Sequence, residues 1–275
     1  MIKALEALIR EAGELARSKA LSAQVHVKGK SDFVTDADLA VSRFLMDALV
    51  RLAPGSHVLS EEDTRADSLE GKLFIVDPID GTTNLMYHMG LSAISCAYAE
   101  DGELLLGVIY NPFTDEMFTA ERGKGAFLNG QPIRVNGDDT IRDALIGMEA
   151  GPATLAQQGP FLKKVFELHR QCRGMRFTGS AAIDLAYVAA GRLSAVAFHY
   201  LYPWDFAAGW LIVSEAGGRL TLLDGGTPVL SGRSKPLLAS NGLIHEEIIQ
   251  DFGIDLCDLP HISDILTIRI FLLNL

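Results

Sequence analysis

Apolar residues recur three and four positions apart over residues 2–19, at Leu5, Leu8, Ile9, Ala12, Leu15 and Ala16, a spacing that predicts an amphipathic helix. A second helix is predicted from Asp36, where Val41, Phe44, Leu45, Ala48, Leu49 and Leu52 repeat the stripe until Pro54-Gly55 ends it. From there to about residue 135 the pattern changes to short apolar runs bounded by turn residues. It predicts strands at 57–60, 72–76, 92–99, 104–110 and 117–120, with Asp101-Gly102 and Asn111-Pro112 as turns. Further on, strands at 144–148, 195–198 and 219–223 alternate with helices near 161–170, 181–190, 206–215 and 244–250. Helices interleaved with strands in this way predict a layered α/β architecture. With no internal repeat or flexible linker, residues 1–275 read as a single domain, with subregions of about 1–140 and 141–255 sharing a cleft. The tail 256–275 contains a nearly alternating run, Leu266 to Leu272, which reads as a strand without an assignable function.

The run Lys72 to Val76 is followed by Asp77-Pro78-Ile79-Asp80-Gly81-Thr82-Thr83-Asn84, where a buried strand turns into a group of oxygen donors. The proline fixes φ between two aspartates, so Asp77, Asp80 and the Ile79 carbonyl can converge. Gly81 to Asn84 then offers free backbone N–H groups and hydroxyls at a predicted helix start, a geometry suited to a phosphate. Two further elements end in acids: Glu61-Glu62 follow the strand at 57–60, and Asp205 follows Pro203-Trp204. Taken singly, Asp205 reads as a helix cap and Glu61 as a solvated loop acid. Gathered within about 4 Å, such carboxylates would repel by roughly 4 kcal/mol per pair at an effective dielectric near 20, so they call for a cation. All-oxygen donors point to Mg²⁺ or Mn²⁺ rather than zinc.

The bulk properties narrow the partners. With 48% apolar residues the chain can bury a large core. A net charge of −11 argues against nucleic acid and anionic membrane surfaces, so cations for a phosphate must come from solution. Cys96, Cys172 and Cys257 have no paired spacing, which fits a reducing cytoplasm. No leader-like segment or membrane-length apolar stretch is present, and a soluble protein is expected.

The octapeptide at 77–84, together with Trp204-Asp205-Phe206-Ala207-Ala208-Gly209 and Glu215-Ala216-Gly217-Gly218, resembles the two signatures of the inositol monophosphatase family of Mg²⁺-dependent phosphatases. Upstream, Lys28, Asp32-Phe33-Val34-Thr35-Asp36-Ala37-Asp38 and Ser60-Glu61-Glu62 are similar to its early motifs in the same order. The resemblance implies an αβαβα sandwich, usually a homodimer, that hydrolyses small phosphate monoesters and is inhibited by Li⁺. Two or three Mg²⁺ ions are implied, with Mn²⁺ a possible substitute: Glu61, Asp77 and the Ile79 carbonyl at the first, and Asp77, Asp80 and Asp205 at the second. It further implies that Gly81 and Thr82 hold the phosphate, that Asp80, Gly179, Ser180 and Ala181 border the substrate, and that Asp38 and Thr83, with Glu61, activate the attacking water near Lys28.

Plainer readings stand beside several of these. Thr35 to Asp38 is a good capping segment, Ser180 a good helix cap, Cys96 a buried hydrophobe, and His88 and His199 surface or packing residues. One position departs from the family pattern. Inositol-type members carry a glutamate seven residues before the Trp-Asp aspartate, and this chain has Phe198 there. The resemblance makes inositol monophosphate the first expected substrate, and the departure at Phe198 keeps fructose 1,6-bisphosphate, 3′-phosphoadenosine 5′-phosphate and histidinol phosphate as alternatives, with a non-enzymatic regulatory partner as the rival reading.

Overall fold

The computed structural model describes residues 1–29, 32–62, 70–150, 155–230 and 235–253. The helices are α1 (Ile2–Ala16), α2 (Lys19–Ser22), α3 (Asp36–Leu52), α4 (Thr82–Met86), α5 (Leu155–His169), α6 (Ala181–Ala189), α7 (Pro203–Glu215) and α8 (His245–Gly253). A hairpin of β1 (Val25–Gly29) and β2 (Asp32–Thr35) leads into α3. The first large sheet has seven strands in sequence order: β3 (His57–Ser60), β4 (Lys72–Asp80), β5 (Ala93–Glu100), β6 (Glu103–Asn111), β7 (Glu116–Glu121), β8 (Ala126–Leu128) and β9 (Gln131–Ile133). Only β3 and β4 run parallel in it. The second sheet has the order β11-β10-β12-β14-β13, from β10 (Leu145–Glu149), β11 (Gly174–Arg176), β12 (Ala195–Leu201), β13 (Arg219–Leu222) and β14 (Lys235–Ser240).

Alternation along the strands dictates the stacking. On β4, Phe74 and Val76 pack with Leu5, Ile9, Val41 and Leu45 of α1 and α3, whereas Leu73 and Ile75 pack on the opposite face with α6 and α7. On β12, Val196 and Phe198 face that same middle helical pair, while Ala195 and Ala197 face Phe161, Val165, Ile248 and Phe252 of α5 and α8. Five layers result: α1/α3, seven strands, α6/α7, five strands, α5/α8. The middle helices are apolar nearly all round, with eight of nine α6 residues buried, because they have a sheet on either side.

Several expectations need correcting. The first predicted helix breaks at Ser18, whose extended backbone separates α1 from α2. The strand at 72–76 continues through Pro78 to Asp80. Pairing with β3 stops at Ser60–Val76, and the register with β5 shifts between Asp77 and Asp80, so the missing proline N–H interrupts no ladder. The short strands β1, β2, β8, β9, β11 and β14 are additions to the predicted set, although Val25 to Lys28 of β1 does alternate apolar and polar residues. The predicted strand in the tail 256–275 lies outside the described residues. Among the described residues, no helix is long and apolar enough to cross a membrane.

Candidate active site

Strand ends and helix starts meet at one end of the layers. Asp77 and Asp80 close β4, Glu61 follows β3, Asp38 stands in the first turn of α3, Asp205 in the first turn of α7, and Ser180 caps α6. Gly81 joins β4 to α4 in the left-handed region at φ 83°, and a Cβ there would lie 2.9 Å from the Leu91 carbonyl oxygen and 3.2 Å from that of Gly179. The turn therefore tolerates no side chain, and it brings the 178–180 loop against the octapeptide. Asn84 clamps that contact, donating through Nδ2 to the carbonyls of Leu91 (2.7 Å) and Thr178 (2.8 Å).

Asp77, Asp80 and Asp205 are each oriented by protein donors. Asp77 Oδ1 accepts from the Ile79 amide at 3.0 Å. Asp80 Oδ2 accepts from Ser180 Oγ at 2.5 Å and from the Ala182 amide at 2.7 Å. Asp205 Oδ2 accepts from the Tyr202 amide at 2.7 Å, so Asp205 does cap its helix while facing the other acids. Burial holds Asp77 well above the usual carboxylate range, and repulsion from Glu61, Asp80, Asp205 and Asp38 adds to it. Burial likewise raises Asp205, with Asp80 and Glu61 adding repulsion. It raises Asp80 too, although the Ser180 hydroxyl and nearby backbone amides oppose the shift. Among the described residues no group of three or more His, Cys, Asp or Glu side chains is drawn together tightly enough to hold a metal ion. The acids are buried against one another, and their mutual repulsion favours a cation among them.

Asp38 divides its two oxygens between two tasks. Oδ2 accepts from the Thr35 amide (2.8 Å) and the Thr35 hydroxyl (2.5 Å), the capping arrangement, while Oδ1 accepts from the Thr82 hydroxyl at 2.9 Å. The expected partner, Thr83, is exposed and turned away, so the pairing of Asp38 with Thr83 is corrected to Thr82. One residue along a helix rotates a side chain by about 100°, and only the first residue of α4 faces the start of α3. With five residues α4 carries little dipole, so any grip on an anion comes from its first-turn amides.

The other predicted residues separate by role. Gly179 is left-handed at φ 75°, Ser180 is buried on Asp80, and Ala181 starts α6. Glu215 accepts from the amides of Gly123 and Gly125, both at 2.8 Å, and serves the fold. Cys96 is buried and His88 exposed; His199 packs its ring 5.0 Å from that of Phe161. Phe198 is fully buried. The side chain of Lys28 lies outside the described residues. Two residues at the site escaped the sequence reading. Asp184 on α6 is fully buried, with the Thr178 side chain as its hydrogen-bonding neighbour and Glu149 and Asp80 adding repulsion. Glu149, at the end of β10, accepts from the Gly179 amide at 2.6 Å. The signal for Glu149 was the one used for Asp77: an apolar strand ending in an acid.

The profile of the inositol monophosphatase family matches residues 1–254. An inositol-1-monophosphatase of Mesorhizobium japonicum is 37% identical over 250 residues, 90% of this chain and 91% of that protein. A fructose-1,6-bisphosphatase/inositol-1-monophosphatase of Thermotoga maritima is 36% identical over 222 residues, 81% of this chain and 83% of the relative. Among solved structures, inositol monophosphate-bound SaIMPase-II superposes with a TM-score of 0.81 at 30% identity, covering 94% of this chain and 96% of the other. With its layers, its ordered motifs and these relatives in agreement, the chain belongs to the inositol monophosphatase family.

Proposed function

We propose that this phosphatase hydrolyses small phosphate monoesters, inositol monophosphate first among them, with Mg²⁺ held by Glu61, Asp77, the Ile79 carbonyl, Asp80 and Asp205. The observation that carries the reading is the burial of Asp77, Asp80 and Asp205 against their mutual repulsion, beside a Thr82 hydroxyl committed to Asp38. This donor set fits a hard cation: it is all oxygen, and the protein's own donors already orient each aspartate. Two or three ions, with Mn²⁺ as a substitute, fit the acid count. Bound there, such ions would polarise the phosphoryl group and offset the charge developing on the leaving oxygen.

The remaining work falls to the chain. Thr82 Oγ1 lies 2.9 Å from Asp38 Oδ1 and 3.2 Å from the Ile79 carbonyl oxygen, and the charged acceptor is the stronger. With its proton directed at Asp38, the Thr82 oxygen presents lone pairs to a water. A proton leaving that water passes to Thr82 Oγ1 as the Thr82 proton passes to Asp38 Oδ1. Burial raises Asp38 and makes it a better acceptor, while its hydrogen bonds from Thr35 and Thr82 oppose the shift. Amides of Gly81 and Thr82 are the donors for the phosphate oxygens, and the 179–181 loop borders the alcohol. The homodimer and Li⁺ inhibition are carried over from the family resemblance, and the cytoplasmic location from the unpaired cysteines.

Phosphate release from myo-inositol 1-phosphate, fructose 1,6-bisphosphate, 3′-phosphoadenosine 5′-phosphate and histidinol phosphate, with Mg²⁺ and with excess chelator, tests the reading. Fastest turnover of the inositol ester, lost in chelator, is expected. Turnover undiminished in chelator would end the metal assignment, and hydrolysis of none of the four with Mg²⁺ would favour the regulatory-partner alternative.

A further inference from the structure

Glu149 and Phe198 are register partners on the parallel strands β10 and β12, so their side chains leave the sheet on the same face, toward the middle helices. Phe198 is fully buried in the core there and touches no solvent. Glu149 is the last residue of its strand and only partly buried, so its carboxylate is not sealed into that core. Its Oε1 accepts from the amide of Gly179, within the loop that Asn84 fastens to the octapeptide and whose Ser180 holds Asp80. Asp80 repels Glu149, and Glu149 in turn repels the buried Asp184, so the charges here belong to one connected wall of the site.

A carboxylate in this position cannot face a phosphate, which offers only negative acceptor oxygens. It can face the alcohol part of an ester, whose hydroxyls donate. Glu149 accepts from the backbone of Gly179 and Thr178, and a carboxylate, which offers about four acceptor positions when ionised, keeps capacity for more. We propose that Glu149 is a specificity-determining residue of the substrate pocket, accepting hydrogen bonds from hydroxyl groups of a polyol phosphate. The inference rests on the phosphatase reading above and narrows its substrate class to esters bearing hydroxyls near the phosphate, in preference to plain aryl or alkyl phosphates.

The alternative is that Glu149 only pins the Gly179 loop. E149Q separates the two, because glutamine keeps an acceptor oxygen for the Gly179 amide and replaces the other oxygen with a donor. Wild type, E149Q and E149A are assayed with Mg²⁺ on myo-inositol 1-phosphate and on p-nitrophenyl phosphate, which has no hydroxyl, after melting curves show each variant folded. The expected result for E149Q is a fall of about 10-fold or more in the ratio of kcat/KM for the inositol ester over the aryl ester, carried mainly by KM for the inositol ester. Equal losses on both esters in E149Q would assign Glu149 to loop positioning and overturn the proposal, as would an unchanged ratio in both variants. Should wild type hydrolyse neither ester with Mg²⁺, the phosphatase reading itself fails and takes this inference with it.

Discussion

Two buried polar regions at different places in this molecule have opposite characters. Behind the second sheet, Asn241 donates to the Asn136 side chain (2.9 Å) and the Asp138 carbonyl (2.7 Å), and it accepts from the Leu243 amide at 3.0 Å. Ser194 donates to Asp138 at 2.7 Å and accepts from the Leu145 amide and from Asn136. Nearby, His245 sits between Ser240 and Thr221, with both ring nitrogens bonded. Donors there are matched to acceptors. At the end of β4, by contrast, acids are buried against acids, and their protein donors satisfy only part of their capacity. A satisfied network holds the fold, whereas acids left in mutual repulsion are waiting for a ligand.

The strongest test of that contrast is to remove a repelling acid. Asp77→Asn should lower kcat/KM by about 10⁴-fold or more, since a metal's charge stabilisation is worth several kcal/mol. The metal-free protein should nevertheless melt no lower than wild type; a large loss of stability would place Asp77 among the structural groups. Next, Asp38→Asn and Thr82→Ala should each lower kcat by about 10²- to 10⁴-fold with little change in KM. The double variant should lose much less than the product of the two losses, because the residues act as a unit. Thr83→Ala should cost little by comparison, and equal losses at Thr82 and Thr83 would overturn the corrected pairing.

In the satisfied region the signs reverse. Asn241→Ala should cost about 1–3 kcal/mol of stability by leaving buried partners unpaired, with kcat unchanged, as measured by denaturant unfolding and steady-state kinetics. The pH dependence of stability gives the smallest effects and again opposes the two regions. Burial pushes His245 down to about 4, so between pH 6.5 and 4 the unfolded chain binds the extra proton and stability falls as pH falls. Burial pushes Glu149 up to about 7, with a backbone amide opposing and Asp80 adding, so from about pH 4.5 to 7 the folded protein holds the extra proton and stability falls as pH rises. Each slope is at most about 1.4 kcal/mol per pH unit. E149Q should flatten the neutral limb of a metal-free melting profile, and leaving it unchanged would show that the Glu149 environment is misread.

The sequence alone determined a good deal. Helical and strand periods marked α1, α3 and most of the first sheet because those elements are amphipathic and carry their pattern locally. The octapeptide, Glu61 and Asp205 were legible because acids that end apolar elements are conspicuous against a core. Tertiary structure decided which oxygen each acid offers and to whom. That Thr82 rather than Thr83 faces Asp38 depends on where a five-residue helix sits against α3, a contact across 44 positions. That Ser180 holds Asp80 depends on a turn tight enough to exclude any side chain at Gly81. Glu149 became a neighbour of Phe198 only when β10 and β12 paired in parallel, placing residues 49 positions apart side by side. Local pattern records which face of an element is buried, but the partners across a cleft are set by how separate elements pack, and one residue's spacing does not encode that.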